Sequence, residues 1–131
     1  MKLTKTMTDK KIKILLVEDD AMILDRYKGR LEEEGYEVFT TDKGSSAIEL
    51  AKKEKPEIIL LDVILPEVDG FTILDEIKQD KLLKNTPVMM LTNLGQETDQ
   101  NKAIARGAVG YFVKAQHTPG DIIKKVKELI K

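Results

Sequence analysis

Four short apolar runs in this chain each stop on a residue that can do chemistry. "KILLVEDD" stops on Glu18, Asp19 and Asp20, "EIILLD" on Asp62, "PVMMLT" on Thr92, and "GYFVK" on Lys114. Taken singly, each has an ordinary structural role: acids after a strand cap the next helix, a threonine closes a strand, and a lysine reaches out to solvent. The set becomes chemical if the ends of the runs meet on one edge. Two carboxylates about 5 Å apart repel by roughly 3 kcal/mol at an effective dielectric near 20. A cluster of them must raise its pKa values, bind a cation, or do both, and one lysine cannot neutralise it. Oxygen-only donors on a partly open edge, with no histidine among them, favour a hard divalent ion, and Mg²⁺ over Zn²⁺ or a Ca²⁺ cage. A carboxylate beside such an ion, with an ammonium and a hydroxyl ready for further oxygens, is equipped to form an aspartyl phosphate, with Asp62 as the nucleophile.

The elements that would bring these residues together are legible in the hydrophobic pattern. Apolar, mostly branched runs recur at 12–17, 37–40, 57–62, 87–92 and 110–113. They are continuous rather than alternating, which predicts strands covered on both faces and therefore a parallel sheet. Between them lie segments of helical period. Residues 20–34 carry Leu24, Tyr27 and Leu31 and stop at Gly35; residues 45–53 carry Ala47, Ile48 and Ala51 inward and close before Pro56. Residues 71–80 show Phe71, Leu74 and Ile77, and residues 97–106 show Ala103 and Ile104 before Gly107. The last helix opens on "TPGD", which predicts Thr118 as N-cap, Pro119 at the first helical position and Asp121 at the positive end, with Ile122, Ile123, Val126, Leu129 and Ile130 as its apolar face. Strict alternation of five strands and helices predicts an α/β fold with right-handed crossovers and helices on both faces. Ligands in such sheets bind at the carboxyl ends of the strands, where all the reactive residues fall.

Composition narrows the class. The 131 residues are 34% charged and 41% hydrophobic, ordinary for one globular domain, and a formal net charge of −1 offers no attraction to nucleic acid or an anionic membrane. Cysteine is absent, which excludes disulfides, thiolate metal sites and cysteine nucleophiles and suits a cytoplasmic setting. "MKLTKTMTDK" has no apolar stretch of signal-peptide or membrane-span character and reads as a flexible N-terminal tail over residues 1–10, leaving 11–131 as the domain.

In this order and spacing, "KILLVEDD", "IILLDVILPEVDGF", "VMMLTN" and "GAVGYFVK" closely resemble the receiver domain of two-component response regulators, chemotaxis-regulator-like, over about residues 10 to 131. The resemblance implies a flavodoxin-like, doubly wound five-stranded parallel sheet of order 2-1-3-4-5 with five helices. It implies Mg²⁺ held by Glu18, Asp19 and Asp62 and by the backbone carbonyl of Ile64, with Asp62 as phosphoacceptor, Thr92 and Lys114 contacting the phosphoryl group, and Tyr111 as the aromatic switch residue. The partners implied are a histidine kinase or phosphotransfer protein upstream and a downstream protein meeting the fourth helix, fifth strand and fifth helix, with no direct nucleic-acid contact and no membrane. Such a domain is not an enzyme beyond promoting its own phosphorylation and dephosphorylation; the output is a population shift in which Thr92 moves inward and Tyr111 fills the vacated space.

Departures from the family pattern are informative. The lysine is usually followed by a proline across a cis bond, and here Ala115 stands in "KAQHTP"; a cis bond without proline costs roughly 3 to 4 kcal/mol. Asn93 replaces a small residue after the threonine, and Val109 and Gly110 replace the acidic pair of the DNA-binding subclass, which counts against that subclass's charged dimer face. The lone histidine, His117, reads as a solvated loop residue. Ile64 and Leu94, two residues past the acceptor and the threonine, are apolar where hydrolytic water would pass, which predicts a long-lived acyl phosphate. Competing readings are an aspartate-nucleophile phosphatase, which lacks its second aspartate because Ile64 stands there, a nucleotide-binding domain, which lacks a glycine-rich loop, and an unphosphorylated receiver-like interaction module.

Overall fold

The computed structural model describes residues 11–93 and 97–130. Five strands, β1 (Lys13–Val17), β2 (Glu37–Thr41), β3 (Ile58–Asp62), β4 (Val88–Thr92) and β5 (Gly110–Val113), form one sheet in the order β2-β1-β3-β4-β5. All four pairings are parallel, with Val17 opposite Leu61, Asp62 opposite Leu91, and Thr92 opposite Val113. Helices α1 (Ala21–Glu33), α2 (Gly44–Glu54), α3 (Gly70–Gln79), α4 (Glu97–Ala105) and α5 (Asp121–Leu129) alternate with the strands. The fold class and strand order are those the resemblance implied.

Alternation within the strands sets up two cores. Leu15, Val17, Ile59, Leu61 and Met90 join Ala47, Phe71, Leu74, Ile77 and Ala103 on one face, beneath α2, α3 and α4. Ile14, Leu16, Ile58, Leu60 and Leu91 join Tyr27, Leu31, Ile122 and Val126 on the other, beneath α1 and α5. Successive side chains point to opposite faces, so a strand covered on both sides must be apolar at every position; this accounts for the unbroken runs.

Three local features differ from the sequence expectation. Ile104 is 53% exposed rather than inward. Adjacent helical residues are about 100° apart, and Ala103 takes the core-facing position. Regular helix α5 begins at Asp121 after Gly120, not at Pro119. Asp121, Ile122 and Ile123 donate to carbonyls three residues back, so "TPG" forms a tight turn; the capping polarity is reversed, with the Asp121 carboxylate accepting from the Thr118 N–H at 3.0 Å. A one-turn 3₁₀ helix over Lys114–Gln116, which no periodicity indicated, links β5 to this turn. Gly35 and Gly107 close α1 and α4 with φ of 99° and 101°, as their stop positions require. The N-terminal decapeptide and Leu94 lie outside the described residues, and no helix among those described is long and apolar enough to cross a membrane.

Candidate functional site

Among the described residues the buried polar or charged side chains are Glu18, Asp62, Thr92 and Lys114, and all four sit at the carboxyl edge of the sheet. Polar groups are buried only where partners compensate them. The strand register creates the meeting: Val17 pairs with Leu61, so the residues one step beyond, Glu18 and Asp62, emerge side by side, and Lys114 follows β5 two strands away.

The three acids of "EDD" have separate jobs. Asp20 caps α1, its Oδ1 accepting from the N–H groups of Met22 at 3.0 Å and Ile23 at 3.2 Å. Glu18 is 1% exposed; its Oε2 accepts from the Asp20 N–H at 3.1 Å and its Oε1 from Lys114 Nζ at 2.7 Å. Asp19 stays exposed. Asp62 is held at both oxygens, Oδ1 by the Ile64 N–H at 3.1 Å and Oδ2 by Lys114 Nζ at 3.0 Å. In "LPEVDG" the second carboxylate, Asp69, is a helix cap, accepting from Phe71 and Thr72 at the start of α3.

Carboxylate oxygens of Glu18, Asp19 and Asp62 lie within 4.8 Å of one another. They open on a cleft of about 230 Å³ lined also by Ile23, Ile64, Asn93 and Lys114, with the Ile64 side chain 58% exposed. Thr92 is buried, and its side chain is hydrogen-bonded to the half-buried Tyr111. Every residue the sequence singled out for the site, Tyr111 included, is therefore at or beside this edge. Lys114 arrives without the family's proline: the described chain has no cis peptide bond, and the ammonium is carried in by the first residue of the 3₁₀ turn. Two contributors were not anticipated. Ile23 lines the cleft because it lies in the first turn of α1 behind the Asp20 cap, and Gly70 lets α3 approach the backbone of Asp62; the "VDG" turn was the available signal for the latter.

Burial pushes the Glu18 carboxyl up to about 7, with Asp62 adding to the rise and the Lys114 hydrogen bond only partly offsetting it. Burial alone would lower Lys114, but its contacts with Glu18 and Asp62 outweigh that and hold it as an ammonium. A folded-state pKa raised above the unfolded value gives stability that is complete below about 4.5 and lost as pH rises through about 7. Unfolding by denaturant in EDTA should therefore show a loss on the order of 2 to 3 kcal/mol between pH 5 and pH 8 that Glu18→Gln flattens. An equal slope in parent and variant would assign the dependence elsewhere.

Three oxygen donors around a buried excess of negative charge fit a hard divalent cation, and the absence of nitrogen and sulfur ligands disfavours zinc.

Comparison with known proteins agrees with this geometry. The family model described as the response regulator receiver domain matches residues 14–127. The chain is 35% identical over 119 residues to the alkaline phosphatase synthesis transcriptional regulatory protein PhoP of Bacillus subtilis, covering 91% of this chain and 48% of that protein. It is 38% identical over 102 residues to the DNA-binding dual master transcriptional regulator RpaA of Synechocystis, covering 78% and 42%. The chain thus spans about half the length of the curated relatives it matches. Among solved structures, chemotaxis protein CheY4 of Vibrio cholerae superposes with a TM-score of 0.85 at 29% identity over 92% of this chain and 99% of that one. The receiver domain of sensor histidine kinase PA1611 from Pseudomonas aeruginosa, with magnesium coordinated in its active-site cleft, superposes with a TM-score of 0.83 at 25% identity, covering 92% and 98%. Sheet order, acidic edge and the match over residues 14–127 have one explanation: the chain belongs to the response regulator receiver domains of two-component systems.

Proposed function

We propose that this domain, over residues 11–131 behind a tail of residues 1–10, is a phosphoacceptor switch that takes a phosphoryl group from a histidine kinase or phosphotransfer protein onto Asp62. The observation that carries the reading is the double anchoring of a buried Asp62 between the Ile64 N–H and the Lys114 ammonium, in a cleft shared with Glu18 and Asp19. An Asp62 oxygen attacks phosphorus, the P–N bond of the phosphohistidine breaks, and the imidazole leaves with its electron pair, giving an acyl phosphate. Glu18, Asp19, Asp62 and the Ile64 carbonyl would hold Mg²⁺, which supplies positive charge against the phosphoryl oxygens. Lys114 supplies a second positive charge, already fixed by its two carboxylate partners before the donor arrives. Thr92 turns its hydroxyl to a phosphoryl oxygen, exchanging its bond with Tyr111, and the surface of α4, β5 and α5 then favours a downstream protein. The domain acts on no substrate besides itself, works in the cytoplasm, and makes no nucleic-acid contact of its own; its relatives named as DNA-binding are about twice its length.

Incubation with phosphoramidate and Mg²⁺ should add one phosphoryl group to the intact mass, in a linkage cleaved by hydroxylamine. Continuous turnover of phosphate esters would point instead to a phosphatase, and no modification by the small donor or by kinases would point to an unphosphorylated interaction module. Once formed, the acyl phosphate should be long-lived, because an apolar side chain, Ile64, lines the cleft through which hydrolytic water would have to come. Ile64→Asn should speed its decay severalfold in a time course with Mg²⁺ present; an unchanged half-life would remove Ile64 from that role.

A further inference from the structure

His117, the only histidine of the chain, lies three residues beyond Lys114, just past the turn that carries the lysine. It stacks on Phe112 with ring centroids 4.7 Å apart and planes at 26°, and its Nδ1 lies 3.4 Å from Oδ2 of Asp121. Phe112 is fixed from below, 3% exposed and edge-on to Tyr27 at 6.3 Å. Asp121 is fixed at the first residue of α5, where the Thr118 N–H holds its carboxyl below the usual carboxylate range. One imidazole thus ties the end of β5 to the start of α5, and the Lys114–Gln116 turn is the segment closed between them.

This turn needs a tie. Ala115 and Gln116 are exposed residues of a single 3₁₀ turn, with no proline ring to restrict φ there. Lys114 is 8% exposed, and its ammonium must reach Glu18 Oε1 and Asp62 Oδ2 together, so displacement of its backbone cannot be absorbed by solvent.

We propose that His117 is a positioning residue: stacked on Phe112 and paired with Asp121, it holds the trans Lys114–Gln116 turn so that the Lys114 ammonium stays between Glu18 and Asp62. The kinetic readout of this proposal rests on the phosphoacceptor reading; a second readout does not.

The test is a double-mutant cycle on the full chain. His117→Ala should slow phosphorylation by phosphoramidate about three- to tenfold, the range that loss of an aromatic stack gives. His117→Phe, which keeps the stack, should restore most of the rate. In a Lys114→Ala background, His117→Ala should cost nothing more. An equal rate loss with and without Lys114, or unchanged rates in His117→Ala, would overturn the assignment. If the parent takes up no phosphoryl group, the phosphoacceptor reading falls, and NMR still decides this one. The two Lys114 ε-protons should be inequivalent in the parent and in His117→Phe and merge in His117→Ala; their remaining distinct in His117→Ala would refute the positioning role.

Discussion

Asp62→Asn should abolish phosphoryl uptake and, in the same chain, stabilise the metal-free fold. Asparagine keeps the volume of aspartate and leaves an oxygen for the Ile64 N–H, so the loop after β3 retains its anchor. The side chain loses its nucleophilic anion, and the intact mass should not change with phosphoramidate and Mg²⁺. Stability moves the other way because Asp62 is 4% exposed and its charge is costly to bury. Its attraction to Lys114 is offset by the other acids of the cluster, leaving the lost hydration as the uncompensated part. A gain of about 1 kcal/mol in EDTA is expected. Removing one of the three carboxylates that would hold the ion should also weaken Mg²⁺ binding by about tenfold or more. Mass spectrometry, denaturant unfolding and calorimetry read the three effects. A phosphoryl group still present on the asparagine variant would move the acceptor to another residue, and a stability loss would show that the Lys114 pair outweighs the burial cost.

Gly70→Ala should be among the most destabilising single substitutions in the chain, at about 3 kcal/mol or more. A methyl at Gly70 would lie 2.1 Å from the Asp62 carbonyl oxygen and 2.9 Å from the Val63 Cα. Both are backbone atoms of the segment that carries the site, and Gly70 itself donates to the Val63 carbonyl at 2.7 Å, so neither side can yield without breaking that bond. The helix would have to lift off β3, and Asp62 would move with the strand end. Phosphorylation should therefore fall along with the unfolding midpoint. Gly29→Ala is the contrast: it lies in α1 with no atom within 4 Å of the added methyl, and replacing a helical glycine there should stabilise by roughly 0.5 to 1 kcal/mol. Equal midpoints for the parent and Gly70→Ala would mean that the close approach is relaxed in solution.

Legibility was uneven within single motifs. In "VEDD" the sequence places three acids after a strand, but which one caps and which ones face the cleft depends on how the chain turns at Asp20. In "AIAR" the period carries both Ala103 and Ile104, and only the rotation of α4 as packed, with Ala103 buried, left Ile104 on the surface. In "KAQHTP" the departure from proline is visible in the sequence, but the contacts His117 makes with Phe112 and Asp121, on either side of the turn, are not. His117 reads as a loop residue because nothing local marks a stack on a strand residue.

The sequence by itself determined the elements and the edge: unbroken apolar runs require strands covered on both faces, and the residues that end those runs then line one side of a parallel sheet. Only the tertiary structure decided the charges at that edge. Glu18, Asp62 and Lys114 are separated by 44 and 52 positions, and their meeting at 2.7 and 3.0 Å rests on strand register and on one closed turn. A register shift of a single residue would turn each side chain to the opposite face, and no local pattern records that choice.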